Sequence, residues 1–205
     1  MKLYYMPGAC SLATHIVLEW IGQPYEAVKV PRDQLKSPEF LAINPAGAVP
    51  AFADGDGWVL TQNAAIMAYL ADTYPQAGLA GDGTARSRAE VNRWMGLLNA
   101  DLHKAFVPIF APAKYIADES QHDAVKDAAR TNVRALLKGI DAHLADHRWL
   151  ANDQRSYVDP YLYVMLRWAK GVGVDLSGLD NLAGFSARME SDEAVRKALA
   201  AEGLA

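Results

Sequence analysis

One cysteine, Cys10, stands alone among 205 residues. It cannot form an internal disulfide, and a chain of this length buries enough apolar surface to fold without one, as one large or two modest domains. A signal-peptide pattern is missing too, because Lys2 is followed by Leu-Tyr-Tyr and then by the turn-forming pair Pro7-Gly8. The expected compartment is therefore the reducing cytoplasm. Apolar stretches fall short of the roughly 18 residues that suggest a membrane span, so no membrane association is expected. Basic residues are scattered, no basic block interleaves with aromatic residues, and the formal net charge is -4, which argues against a nucleic-acid partner. Repeats and low-complexity tracts are absent. His122, His143 and His147 lie among charged or polar residues without metal-ligand spacing, so they read as surface groups and no metal is expected.

What is present has a clear order. KLYY is a short apolar and aromatic run closed by Pro7-Gly8, which predicts a strand and a turn. Helical spacing from Ser11 to Trp20, stopped by Gly22-Gln23-Pro24, predicts a helix, and YEAVKV (Tyr25 to Val30) predicts a second strand. Strand, helix and strand within about 30 residues make a βαβ unit with parallel strands. Ser37 as cap with Pro38 at the first helical position starts a short helix. NPAGAVP interrupts regular structure, and AFADGDGWVL holds two apolar runs around Asp-Gly turns, an antiparallel hairpin. Thr61 is expected to open the next helix, which runs through QNAAIMAYLADTY and ends before Pro75. The order βαβαββα is the thioredoxin-like plan, assigned to residues 1–77. The Gly-rich stretch after it places a linker at 78–84, and residues 85–205 repeat apolar positions at spacings of three and four, which predicts an all-helical domain.

Cys10 falls where the Pro-Gly turn meets the first helix. Free amides and the dipole at a helix N-terminus favour negative charge, which predicts a stabilised thiolate of lowered pKa, with Ser11 as a hydroxyl donor to the same sulfur. A buried structural cysteine behaving as a small hydrophobe is the alternative.

KLYYMPGACSLATHIVL, INPAGAVPAF, AAIMAYLAD, LHKAF, YVDPYLYVMLRWA and AEGL follow one another along almost the whole chain. In these segments the sequence resembles the bacterial beta-class glutathione S-transferases. The resemblance implies a thioredoxin-like domain that binds glutathione as co-substrate, a helical domain that shapes the pocket for a small apolar electrophile or disulfide, and a homodimer.

The same resemblance assigns roles to residues. Cys10 contacts the glutathione sulfur and can form a mixed disulfide with it. Val49-Pro50 matches a cis-proline step at which the valine backbone pairs with the cysteinyl backbone of the tripeptide. Gln62 and Asn63 stand where the γ-glutamyl group is held, by free helix amides and the Asn63 side chain; the class commonly has Glu followed by Ser or Gly there. Asp101 matches an acidic residue that reaches glutathione from the partner subunit, and a solvated surface carboxylate is its other reading. His103 and Lys104 match an HK pair near the sulfur, in which an imidazolium or ammonium stabilises a thiolate or a neutral imidazole shuttles its proton. Tyr5 is either a secondary hydroxyl donor or a strand residue packed beneath the site. Arg32 or Lys36 supplies the cation for the glycine carboxylate, beside Ala46 and Ala48 where larger polar residues often occur. Ser156-x-x-Asp159 has capping-box spacing, with Pro160 suggesting a cap shifted by one residue. Trp94, Phe106, Phe110, Tyr115, Tyr163 and Trp168 are candidates for an apolar second-substrate wall or for core, with Phe106 and Phe110 favoured for the wall.

Two mechanisms fit that reading, conjugation by the glutathione thiolate and thiol transfer through Cys10 as nucleophile. A rival from another class is a non-catalytic ligand- or partner-binding protein on the same fold, motivated by the neutral Gln62 and the weakly defined carboxylate site.

Overall fold

The first strand alternates, with Leu3 and Tyr5 buried and Lys2 and Tyr4 partly exposed, as expected of a strand with two unlike faces. The computed structural model describes residues 1–205. In it β1 (Lys2–Tyr5) sits inside a four-stranded sheet of order β2-β1-β3-β4. β2 (Glu26–Lys29) runs parallel to β1, with Leu3 opposite Ala27, while β3 (Ala51–Ala53) runs antiparallel to β1, with Leu3 opposite Phe52. β4 (Val59–Thr61) closes the hairpin onto β3. Thr61 therefore ends a strand and does not open a helix, since its backbone is used in the pairing with Ala51.

α1 (Ser11–Ile21) is the crossover between the parallel strands, and Gly22, at φ 73°, ends it in the left-handed conformation with its N–H on the Leu18 carbonyl. Every residue from Ser11 to Leu18 is buried, because α1 packs against α3 (Asn63–Thr73), α8 (Asp159–Gly171) and α10 (Glu193–Glu202) as well as the sheet. α2 (Pro38–Ile43) starts where the Ser37 hydroxyl accepts from Phe40 N at 3.2 Å.

The rest is helical: α4 (Ala85–Gly96), a π-helical turn over Leu97–Leu102, α5 (His103–Ala105), α6 (Val107–Phe110), α7 (His122–Leu144), α8, α9 (Asp180–Ser191) and α10. The final stretch is two helices, α9 and α10. Asp192 is extended there, and its carboxylate accepts from Ala194 N and Val195 N at 3.0 and 3.2 Å, a fresh N-cap. At the start of α8 the Asp159 carboxylate accepts from Leu150 N, Ser156 N and the Ser156 hydroxyl at 3.1, 2.8 and 3.0 Å. The serine thus donates to the box and does not cap the helix, and burial pushes the Asp159 carboxyl up to about 6 despite three donors.

One apolar core joins the two parts, with Ile16 and Phe52 on the sheet side and Tyr157, Tyr161 and Phe185 on the helical side, all fully buried. Of the histidines read as surface groups, His147 keeps 42% of its side chain exposed, whereas His122 and His143 are half-buried. His143 packs on Trp94 and His147 with ring centroids 4.6 and 4.3 Å away, and His122 Nε2 lies 3.0 Å from the Ile116 carbonyl. No helix is long and apolar enough to cross a membrane.

Candidate active site

The turn between β1 and α1 carries Cys10 into a cavity of about 540 Å³, facing Val49 across it and walled by His103, Phe110 and Trp168 from the helical part. Gly8, at φ 70°, takes the left-handed conformation that L side chains resist. Its peptide is gripped from two sides: Gly8 N donates to Glu202 Oε2 at 2.9 Å, and Trp168 Nε1 donates to Gly8 O at 2.8 Å. The other Glu202 oxygen lies 2.9 Å from His15 Nδ1, with both side chains almost fully buried. Neither His15 nor Glu202 was picked out by sequence reasoning: they lie in the segments KLYYMPGACSLATHIVL and AEGL, and 187 residues separate them.

The Cys10 thiol is half-buried and donates to the Val49 carbonyl at 3.6 Å, and the Val49–Pro50 bond is cis. Burial pushes the thiol up to about 11, against a weaker pull from the Cys10 and Ser11 amides. The expected lowered pKa is therefore wrong: desolvation outweighs the helix N-terminus, and Cys10 is a neutral thiol near pH 7. Ser11 is no donor to the sulfur either. Its hydroxyl is fully buried and exchanges hydrogen bonds with Met6 N and O, both at 3.3 Å, which closes the turn. The Tyr5 hydroxyl donates to the Ala201 carbonyl at 3.4 Å, so this tyrosine packs beneath the site and ties it to α10.

His103 lines the cavity, and burial first, then the Lys104 charge, lowers its pKa to about 4. With no anion beside it the imidazole is neutral near pH 7. Its Nδ1 lies 2.5 Å from the Tyr161 hydroxyl, which in turn donates to Asn99 Oδ1 at 3.1 Å. Tyr161 and Asn99 were missed; Tyr161 lay inside the YVDPYLYVMLRWA segment with nothing in its spacing to separate it from core. Phe110 and Trp168 meet edge to face at 5.4 Å and form the apolar wall, while Phe106, fully buried, stacks behind Phe110. Trp94 and Tyr163 are core, and Tyr115 lies elsewhere on the surface.

Of the two basic candidates, Arg32 lines the cavity, whereas Lys36 Nζ donates to the Ala46 carbonyl at 2.7 Å and braces the loop before Val49. Gln62 is exposed and holds φ 73°, an uncommon conformation for a residue with a Cβ, directly before α3. The Asn63 side chain turns inward: its Oδ1 accepts from the Thr14 hydroxyl at 2.6 Å, and its Nδ2 is buried without a partner. The Asn63 side chain thus packs inward against α1, and the first backbone amides of α3 have no partner within the helix. Asp101 and Lys104 do not reach the Cys10 cavity in their own chain. They line a second, open groove of about 720 Å³ with Tyr115 and Asn132.

A thioredoxin-like sheet with a cysteine at the first strand-to-helix turn, opposite a cis-proline step and under a helical cover, defines a thiol-handling protein. The description "Glutathione S-transferase, N-terminal domain" matches residues 8–73, and "Glutathione S-transferase, C-terminal domain" matches residues 123–188. Glutathione S-transferase GST-4.5 of Xanthomonas campestris pv. campestris is 53% identical over 204 residues, covering 100% of both chains. Two solved sphingomonad structures, a glutathione S-transferase complexed with glutathione and the bacterial beta-class enzyme of Sphingomonas chungbukensis, are each 41% identical over 100% of both chains with a TM-score of 0.90. The chain belongs to the glutathione S-transferase family.

Proposed function

We propose that the chain binds glutathione in the Cys10 cavity and promotes attack of its thiolate on a small apolar electrophile. The observation that carries this choice is that Cys10 and His103 line one cavity, where burial favours the neutral form of both side chains. A neutral thiol is a hydrogen-bond donor and a poor nucleophile, so Cys10 turns its S–H from the Val49 carbonyl to the glutathione sulfur and stabilises negative charge there. His103 takes the proton. Burial keeps its imidazole neutral, and the thiolate formed beside it raises its pKa again, so the proton is retained as an ion pair.

The remaining roles follow from position. The Val49 backbone pairs with the cysteinyl backbone of the tripeptide, the first amides of α3 with Gln62 receive the γ-glutamyl carboxylate, and Arg32 faces the glycine carboxylate. Phe110 and Trp168 shelter the electrophile. In a homodimer, Asp101 and Lys104 complete the partner's site, consistent with their placement away from their own Cys10. Thiol–disulfide exchange through Cys10 is the minor route at neutral pH, because it needs the thiolate that burial disfavours.

Calorimetric titration of glutathione into the reduced protein, followed by turnover with an aryl halide, tests this reading. Saturable binding with turnover above the solution rate supports it. Binding of an apolar ligand without glutathione binding supports the non-catalytic alternative, which the neutral Gln62 and the inward Asn63 favour.

A further inference from the structure

We propose that Tyr161, held by Asn99, fixes His103 in the Nδ1–H tautomer, so that Nε2 is the nitrogen that accepts a proton in the cavity. The tautomer stands on geometry alone; its catalytic consequence rests on the transferase reading. A phenol has one proton to give and lone pairs to receive. The Asn99 oxygen, 3.1 Å from the Tyr161 hydroxyl, only accepts, so the phenol proton goes there. The Tyr161 oxygen must then accept from His103 Nδ1, 2.5 Å away, which requires a proton on Nδ1.

The two bonds of the phenol oxygen are thus complementary, one accepted from His103 and one given to Asn99. Tyr161 is fully buried, so no bulk solvent competes for these bonds. Asn99 and His103 stand four residues apart on one helical face, which lets both reach the same hydroxyl. The imidazole is wedged edge-on against Tyr161 and Trp168, with centroids 5.9 and 5.0 Å away, which opposes rotation. With Nδ1 against Tyr161, Nε2 makes no hydrogen bond within the protein, and His103 lines the cavity.

In the step this serves, the S–H bond of glutathione breaks and an N–H bond forms at Nε2. The sulfur electron pair bonds to the electrophile, whose leaving group departs with its own pair, and the imidazolium then returns its proton to solvent. Tyr161 and Asn99 are positioning residues here.

Nitrogen-15 NMR of the histidine side chains, with His103 assigned by its loss in His103→Gln, reads the tautomer directly and without any ligand. At pH 7 the expected pattern is a protonated Nδ1 and an unprotonated Nε2. Asn99→Leu removes the acceptor, so Tyr161 should donate to Nδ1 and the tautomer should invert. Tyr161→Phe should release the preference, and in both variants kcat/KM should fall by roughly 10²-fold with little change in glutathione KM. A wild-type Nε2–H tautomer, or an unchanged tautomer in a folded Asn99→Leu protein, overturns the inference whatever the turnover. Absence of glutathione binding with the expected tautomer would count against the transferase reading alone.

Discussion

Gly8 and Glu202 lie 194 residues apart in sequence, yet the Gly8 N–H donates to Glu202 Oε2 at 2.9 Å. The turn that presents Cys10 is thus built by the N-terminal part and held by α10, with His15 on the other carboxylate oxygen.

Glu202→Ala leaves the buried His15 ring and the half-buried Gly8 amide without these partners, and should cost ~3 kcal/mol or more. Urea unfolding at pH 7 measures this. A loss below about 0.5 kcal/mol, the range of a surface change, would mean that the grip does not hold the turn.

As the sole cysteine, Cys10 can be followed by iodoacetamide without interference. With its thiol at about 11, the alkylation rate should rise about tenfold per pH unit from 6 to 9. A plateau near neutral pH would reveal a thiolate and restore thiol transfer as the main route.

The pH dependence of stability has two opposed contributions. His103 is held at about 4 in the folded chain, below its unfolded value of about 6.5, so its share of stability is present above pH 6.5 and is lost as pH falls toward 4. Asp159, raised to about 6, binds its proton more tightly when folded, so its contribution is present at low pH and is lost as pH rises from about 4 through 6. Between pH 7 and 5 wild type should therefore lose up to ~2 kcal/mol relative to His103→Gln, less where the cavity edge of the ring is hydrated. Parallel urea midpoints for the two proteins over that range would contradict a neutral His103.

Phe110 is 49% exposed and belongs to the apolar wall. Phe110→Ala should change stability by no more than about 0.5 kcal/mol, while raising KM for an apolar electrophile and sparing glutathione affinity. Steady-state kinetics with both substrates varied separates these; a shift confined to glutathione would move Phe110 out of the second-substrate pocket.

Local signals in the sequence were sufficient for the first half of the fold. The Pro7-Gly8 turn, the Gly22 stop, the Ser37-Pro38 start and the Asp-Gly hairpin each act within a few residues, and each element appeared as expected. Thr61 failed because a strand end and a helix start share polar β-branched residues, and only the pairing with Ala51 decides. The positions of Cys10, Val49 and His103 in one cavity came from the family resemblance; the charge states of Cys10 and His103 did not. Burial is a tertiary quantity, and it reversed the helix N-terminus argument for Cys10. Ser11, Asn63 and Tyr161 likewise depend on which neighbour takes each hydroxyl or amide, and those neighbours come from distant elements.

In the proposed reaction glutathione, not Cys10, carries the reactive thiolate, and His103 takes its proton. Ultraviolet difference titration of bound glutathione, in wild type, Cys10→Ala and His103→Gln, measures it. Thiolate absorbance should appear on binding at neutral pH, persist with reduced amplitude in Cys10→Ala, and require a pH higher by about one unit or more in His103→Gln. Thiolate absorbance in the protein before glutathione is added, or an unchanged titration in His103→Gln, would contradict the account.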